Sequence, residues 1–189
     1  MIKIAILGDI GSGKSYVAKN FGYPVFNADN EVSKLYQKNK AIYIKLKKIL
    51  PKYISSFPLE KKKITEAILA NENNLKKIVN IVHVEIRKQM KIFLKKYKNS
   101  KIVILDIPLF LENKINKKKD KLIYVQSKKS LILKKLKKRK NFNQKLLKKF
   151  RAIQLPTKYK KKKSHFIIKN DFTKKSVNDG INRILKEII

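Results

Sequence analysis

Apolar residues along this chain follow two rhythms. Short, nearly unbroken runs recur five times: Ile2-Lys3-Ile4-Ala5-Ile6-Leu7, Tyr23-Pro24-Val25-Phe26, Lys101-Ile102-Val103-Ile104-Leu105-Asp106, Lys121-Leu122-Ile123-Tyr124-Val125 and Phe166-Ile167-Ile168. Such runs predict buried strands of a parallel sheet. Between them apolar positions fall three and four apart, the spacing of helices. Residues 16–20 are expected to form a first helix. From 31 to 97 the pattern is mostly helical, broken at Pro51 and at Ser55-Ser56-Phe57-Pro58. Its clearest parts are 59–70 and 74–98, the latter carrying Leu75, Ile78, Val79, Val82, Ile86 and Met90 at helical spacing. A basic helix is expected over 128–140, with Leu131, Leu133 and Leu136, and a shorter one over 145–153 that ends in Gln154-Leu155-Pro156. An amphipathic helix over 173–188, capped by Thr173 or Asp171, closes the chain. Strands alternating with helices predict an α/β fold: three layers around a five-stranded parallel sheet.

The first run feeds Gly8-Asp9-Ile10-Gly11-Ser12-Gly13-Lys14-Ser15, which reads G-x-x-x-x-G-K-S between a strand and a helix. In that context the pattern is a phosphate-binding loop, so the expected fold is that of a P-loop NTPase. Gly11 and Gly13 let the backbone turn tightly and aim its N–H groups at phosphate oxygens. The helix behind adds its positive end. Lys14 is expected to reach the β- and γ-phosphates, and the Ser15 hydroxyl to complete the shell of a bound Mg²⁺. The expected nucleotide contacts are Asp9, Ile10, Gly11, Ser12, Gly13, Lys14, Ser15 and Tyr16.

Two aspartates stand where strands end. Asp106 closes a run of four apolar residues, the Walker-B arrangement, in which a carboxylate holds Mg²⁺ directly or through its water. Asp29 follows the second strand in Asn27-Ala28-Asp29. Ligands of open parallel sheets bind beyond the carboxyl ends of strands. A carboxylate there can take the proton of an attacking hydroxyl or help organise the ion, and the same residues also make a good helix cap. The helical stretch between the second and third strands is too long for a crossover, so 35–98 is expected to be a substrate-binding insertion within one domain over 1–189. His83 lies on that insertion, where a histidine is packed or exposed more often than functional. The segment from 138 to 160 sits where small kinases carry a lid, and Arg139 is its candidate for stabilising transferred phosphoryl charge. Asn116-Lys117-Lys118-Lys119-Asp120 is a near miss for a guanine reader; its Asp lies one position too far on, and the segment precedes a strand.

Charge changes the picture less than its size suggests. The net charge is +36, from 49 Lys and Arg against 13 Asp and Glu. The only arginines, however, are Arg87, Arg139, Arg151 and Arg183, and the lysines are spread along the chain among Ile and Asn. Bidentate base readers use Arg, so a sequence-specific nucleic-acid partner is not expected. The field would still steer anionic small substrates. No apolar run approaches the ~18 residues of a membrane span, so no membrane partner is expected. Met1 is followed at once by a strand, and with no cysteine in the chain a cytoplasmic location is expected. A monomer or weak oligomer is expected.

In order, these motifs resemble the dephospho-CoA kinase family, which performs the last step of coenzyme A synthesis. The family opens with G-G-I-G-S-G-K-S, matched here except at Asp9. Its D-A-D is similar to Asn27-Ala28-Asp29, its I-x-H-P to Ile81-Val82-His83-Val84, and its D-x-P-L-L-F-E to Asp106-Ile107-Pro108-Leu109-Phe110-Leu111-Glu112. Its Q-M-P is similar to Gln154-Leu155-Pro156, with Lys160 near the family's lid-end lysine, and an Asn after the last strand matches Asn170. The family's Arg four positions after the retained carboxylate is replaced by Ser33. The resemblance implies transfer of the γ-phosphoryl of ATP, with Mg²⁺, to the ribose 3′-hydroxyl of dephospho-CoA. It implies Lys14, Asp29 and Arg139 as catalytic residues, Ser15 and Asp106 at the metal, the latter through water. Asp29, His83, Pro108, Leu109 and Glu112 are implied at the acceptor. The competing readings are another small nucleotide or nucleoside kinase and a nucleic-acid-binding ATPase of the same loop class.

Overall fold

The first apolar run forms the middle of the sheet. In a computed structural model that describes residues 1–140 and 142–189, it is strand β1 (Ile2–Gly8). Asn141, inside the expected lid, lies outside the described residues. β2 (Val25–Asn27), β3 (Ile102–Asp106), β4 (Lys121–Gln126) and β5 (Phe166–Lys169) complete a five-stranded sheet in the order β2-β3-β1-β4-β5. Every pairing is parallel. Ile4, Ala5 and Ile6 of β1 and Ile102, Val103 and Ile104 of β3 are fully buried. Strands covered on both faces need side chains that are apolar at successive positions, and this is why these segments read as runs.

The chain divides into two compact units, one of Met1–Asn27, Tyr97–Asn143 and Arg151–Ile189, the other of Ala28–Lys96 and Gln144–Phe150. The first holds the sheet with helices α1 (Lys14–Asn20), α6 (Lys129–Lys137), α8 (Thr157–Lys163) and α9 (Lys174–Ile188). Its core joins Ile4, Ile6, Ile104 and Val125 to Val17 and Ala18 of α1 and to Val177, Ile181 and Ile184 of α9. A fully buried aliphatic side chain of this kind stabilises by about 1.5–3 kcal/mol. Thr173 caps α9, its side chain accepting from the Ser176 N–H at 3.2 Å. Asp171 holds that cap, with Oδ1 accepting from the Thr173 N–H (2.9 Å) and hydroxyl (2.7 Å).

The second unit is helical: α2 (Ala28–Lys38), α3 (Lys40–Ile49), α4 (Lys61–Ala70), α5 (Glu72–Lys96) and most of α7 (Gln144–Ala152). α5 is its spine and packs against α2, α3 and α4 through Leu75, Ile78, Val82 and Ile86. Two breaks carry no Gly or Pro. Asn39 ends α2 and caps α3 by accepting from the Ile42 N–H at 3.0 Å, and Asn71 separates α4 from α5. Both are asparagines whose side chains compete for backbone donors.

Several boundaries differ from the sequence pattern. α2 starts at Ala28, not Glu31, which takes Asp29 into its first turn. α6 stops at Lys137, and Arg139 lies in the following turn, its N–H bonded to the Leu136 carbonyl at 3.1 Å. α6 buries Ile132 and Leu136, one turn apart, and leaves Leu133 40% exposed. α8 has no counterpart in the apolar pattern, since Thr-Lys-Tyr-Lys-Lys-Lys-Lys carries no apolar stripe.

Candidate active site

A parallel sheet gathers the carboxyl ends of its strands along one edge. At that edge lie the loop after β1, Asn27 at the end of β2, Asp106 at the end of β3, Ser127 after β4 and Asn170 after β5. The loop at 8–15 has the conformation its glycines permit. Gly11 and Gly13 have φ of +85° and +91°, values strained for any residue with a Cβ. The Ser12 N–H closes the turn on the Asp9 carbonyl at 3.1 Å. Lys14, first residue of α1, reaches back over the loop, its Nζ donating to the carbonyls of Gly8 (3.1 Å) and Asp9 (2.9 Å). Ser15 and Tyr16 stand exposed on the first turn of α1.

The rest of the first unit holds this loop in place. Asn170, 3% exposed, donates Nδ2 to the Ser12 carbonyl at 2.8 Å, and the Ser127 hydroxyl donates to the same oxygen at 3.0 Å. A Cβ at Gly13 would collide with the Asn170 amide, so a larger residue there would displace this brace. α6 closes another side: a Cβ on Gly11 would meet Leu136 at 2.9 Å and Ile132 at 3.0 Å. Arg139 follows Leu136 by three residues, one turn on, and is exposed.

Asn27 and Asp106 are neighbours across β2 and β3. The Asn27 amide donates to Asp106 Oδ2 at 2.6 Å. Where the family pattern has a second carboxylate, this chain has a donor, so the pair attracts instead of repelling. Asp106 is 3% exposed. Among the described residues no group of three or more His, Cys, Asp or Glu could hold a metal alone. The donors present, a Ser15 hydroxyl and the Asp106 carboxylate, nevertheless suit Mg²⁺, which takes few protein oxygens and fills its shell with phosphate and water.

Glu112 has an unexpected set of partners. Its Oε1 accepts from the Leu155 N–H at 2.9 Å and lies 2.7 Å from Lys160 Nζ, with both side chains at least nine-tenths buried. It thus joins the turn after β3, anchored by buried Phe110, to the start of α8. Pro108 and Leu109 are half-buried in that turn. Asp29 is exposed on α2, and His83 is half-buried on α5, both in the helical unit. Asp120, in the near-miss guanine pattern, is a buried partner of Lys3 at 2.6 Å.

Two residues of the site escaped the sequence reading, while Lys160, placed by the resemblance near a lid-end lysine, is 2% exposed inside a run of exposed or half-exposed lysines. Thr157, on α8, donates its hydroxyl to Asp9 Oδ1 at 2.9 Å. Tyr124 on β4 interacts with both, and burial first, then the Asp9 charge, push its hydroxyl up to about 12. Asn170 was visible as a match, and its place directly after a strand end is the signal that it serves the loop.

The dephospho-CoA kinase family model matches residues 2–176. The dephospho-CoA kinase of Wolbachia sp. subsp. Brugia malayi (strain TRS) is 30% identical over 190 residues, covering 98% of this chain and 97% of that protein. A crystal structure from Thermus thermophilus superposes with a TM-score of 0.79 at 21% identity, over 100% of this chain and 98% of that one. The dephospho-CoA kinase structure from Campylobacter jejuni gives 0.63 at 24% identity, over 98% and 96%. The two structures share the fold; the motifs, the family model and the Wolbachia relative carry the assignment, and on them the chain belongs to the dephospho-CoA kinase family.

Proposed function

We propose that this protein transfers the γ-phosphoryl group of ATP to the ribose 3′-hydroxyl of dephospho-CoA, giving coenzyme A and ADP. The observation that carries the reading is the phosphate loop at 8–15, braced by Asn170 and facing the strand edge that holds Asp106, in a chain matched by the family over 2–176. Phosphoryl transfer asks the protein mainly for positioning and charge neutralisation.

In this reading the N–H groups of the loop bind the β- and γ-phosphates. Lys14 leaves the Gly8 and Asp9 carbonyls to neutralise charge on the transferred group. Arg139 adds a second cation, which its exposure and its place one turn beyond Leu136 support. Ser15 and the Asp106 oxygen not held by Asn27 would hold Mg²⁺, the latter through water. When bound, the ion would neutralise negative charge on the phosphates. Asp29 receives the proton of the acceptor hydroxyl; its exposed carboxylate supports this. His83, Pro108 and Leu109 remain acceptor contacts implied by resemblance, whereas the partners of Glu112 favour a bracing role for it. A cytoplasmic site of action, where ATP is supplied, fits a chain without cysteine.

The test is an acceptor panel. With Mg–ATP, turnover is expected to be fastest on dephospho-CoA, with a 3′-phosphorylated product, and poor on AMP, CMP, adenosine and shikimate. Faster phosphorylation of any of those by folded protein overturns the acceptor assignment and leaves a small kinase of another specificity.

A further inference from the structure

Asp9 places an acid inside a loop built to surround phosphate. Its main chain belongs to the loop, the carbonyl accepting from the Ser12 N–H and from Lys14 Nζ. Its side chain leaves the loop. Oδ1 accepts from the Thr157 hydroxyl at 2.9 Å, and the Tyr124 hydroxyl joins the same cluster. Tyr124 is 2% exposed, and its hydroxyl, like that of any tyrosine, is a neutral donor across the physiological range. Thr157 is the first residue of α8, and Lys161, one turn on, sits 5.7 Å from the centroid of the Tyr124 ring. The carboxylate is thus held from the side of β4 and α8.

Turned the other way, that carboxylate would meet the phosphates of a bound nucleotide. Like charges about 6 Å apart near a protein surface repel strongly enough to weaken binding by about tenfold or more. A glycine at this position needs no restraint; an aspartate does. We propose that Thr157 and Tyr124 form a latch that holds the Asp9 carboxylate away from the nucleotide phosphates. The same latch ties the start of α8 to the phosphate loop, so nucleotide affinity depends on α8 being docked. Thr157 is in this sense a positioning residue for the nucleotide site, and the inference rests on reading 8–15 as that site.

The test compares Mg–ADP affinity by calorimetry, with KM for ATP and kcat, across Thr157→Ser, Thr157→Val, Asp9→Asn and the Asp9→Asn/Thr157→Val pair. Thr157→Val is expected to weaken Mg–ADP binding about tenfold and raise KM for ATP in step, with kcat changed by less than about threefold. Thr157→Ser keeps the donor and stays near the parent. In the Asp9→Asn background the same Val substitution is expected to cost less than about twofold, because the charge to be restrained is gone. If Thr157→Val fails to fold, Tyr124→Phe removes the other hydroxyl and should show the same dependence on the Asp9 charge. Equal losses with and without that charge, or no loss in either background, overturn the latch while leaving nucleotide binding standing. Absence of Mg–ADP binding to the folded parent protein overturns the nucleotide reading and the latch with it.

Discussion

The side-chain amide of Asn27 is hydrogen-bonded to Oδ2 of Asp106 at 2.6 Å, across the last register pair of β2 and β3. One carboxylate oxygen is therefore fixed by the protein, and the orientation of the other follows from it. Where the family's D-A-D carries its first carboxylate, this chain has an amide paired with the Asp106 carboxylate.

This separates the two aspartates experimentally. Asp106→Asn is expected to raise the Mg²⁺ concentration needed for half-maximal rate by about tenfold or more, since it acts through the ion. Asp29→Asn is expected to lower kcat by roughly 10²- to 10⁴-fold with an unchanged Mg²⁺ requirement, the loss typical of a missing base. Mg²⁺ titrations of both variants check this, and superimposable curves would mean the roles are wrongly divided.

Lys14→Ala is expected to fold normally, because the side chain is only half-buried. Turnover should fall by about 10³-fold or more through loss of a charge aimed at the transferred group. Circular dichroism together with steady-state turnover gives the answer; a folded variant with near-parental rate would remove Lys14 from the chemistry.

The Glu112–Lys160 pair makes a prediction about stability. Removing one member of a buried pair strands the other, at a cost of about 3–5 kcal/mol. Lys160→Met alone should therefore lower the urea midpoint strongly, while Glu112→Gln/Lys160→Met should recover much of the loss. If Glu112 served mainly to contact the acceptor, the Lys160 variant would instead keep its midpoint and raise KM for the acceptor.

Acid sensitivity should appear at α9. Hydrogen bonds from Ser176 and Thr173 hold Asp171 down to about 2, well below the ordinary carboxylate value. A carboxylate whose folded-state pKa is lowered stabilises at pH above its unfolded value, and the contribution fades as pH falls from about 4 through 2. Helicity followed by circular dichroism should show fraying of α9 over that range in the parent protein and a flatter profile in Asp171→Asn. Identical profiles would show that the cap is insensitive to this charge.

How far the sequence could be read follows from what each residue must satisfy. The strands were legible because burial on both faces forces consecutive apolar side chains, as at Ile4, Ala5 and Ile6. The phosphate loop was legible because Gly11 and Gly13 adopt backbone angles that other residues resist. α8 was not, because it is a lysine-rich helix held by single contacts, Thr157 to Asp9 and Lys160 to Glu112, which leave no periodic trace. The helix start at Lys40 was hidden for a related reason: the Asn39 side chain caps it, and asparagine serves equally well in loops. Glu112 was visible as a motif residue, yet its partners became known only when Leu155, 43 positions away in sequence, and Lys160 came beside it.

The bond from Asn170 to the Ser12 carbonyl joins positions 158 residues apart. The phosphate loop is near the start of the chain, but one of its braces arrives only when β5 has added to the sheet and the turn before α9 has formed. Contacts this distant in sequence are slow to form, because the intervening chain must be ordered first. The final shape of the loop is thus tied to the ordering of β5 and the turn before α9, and a nucleotide that binds the braced loop would stabilise that distant segment along with it.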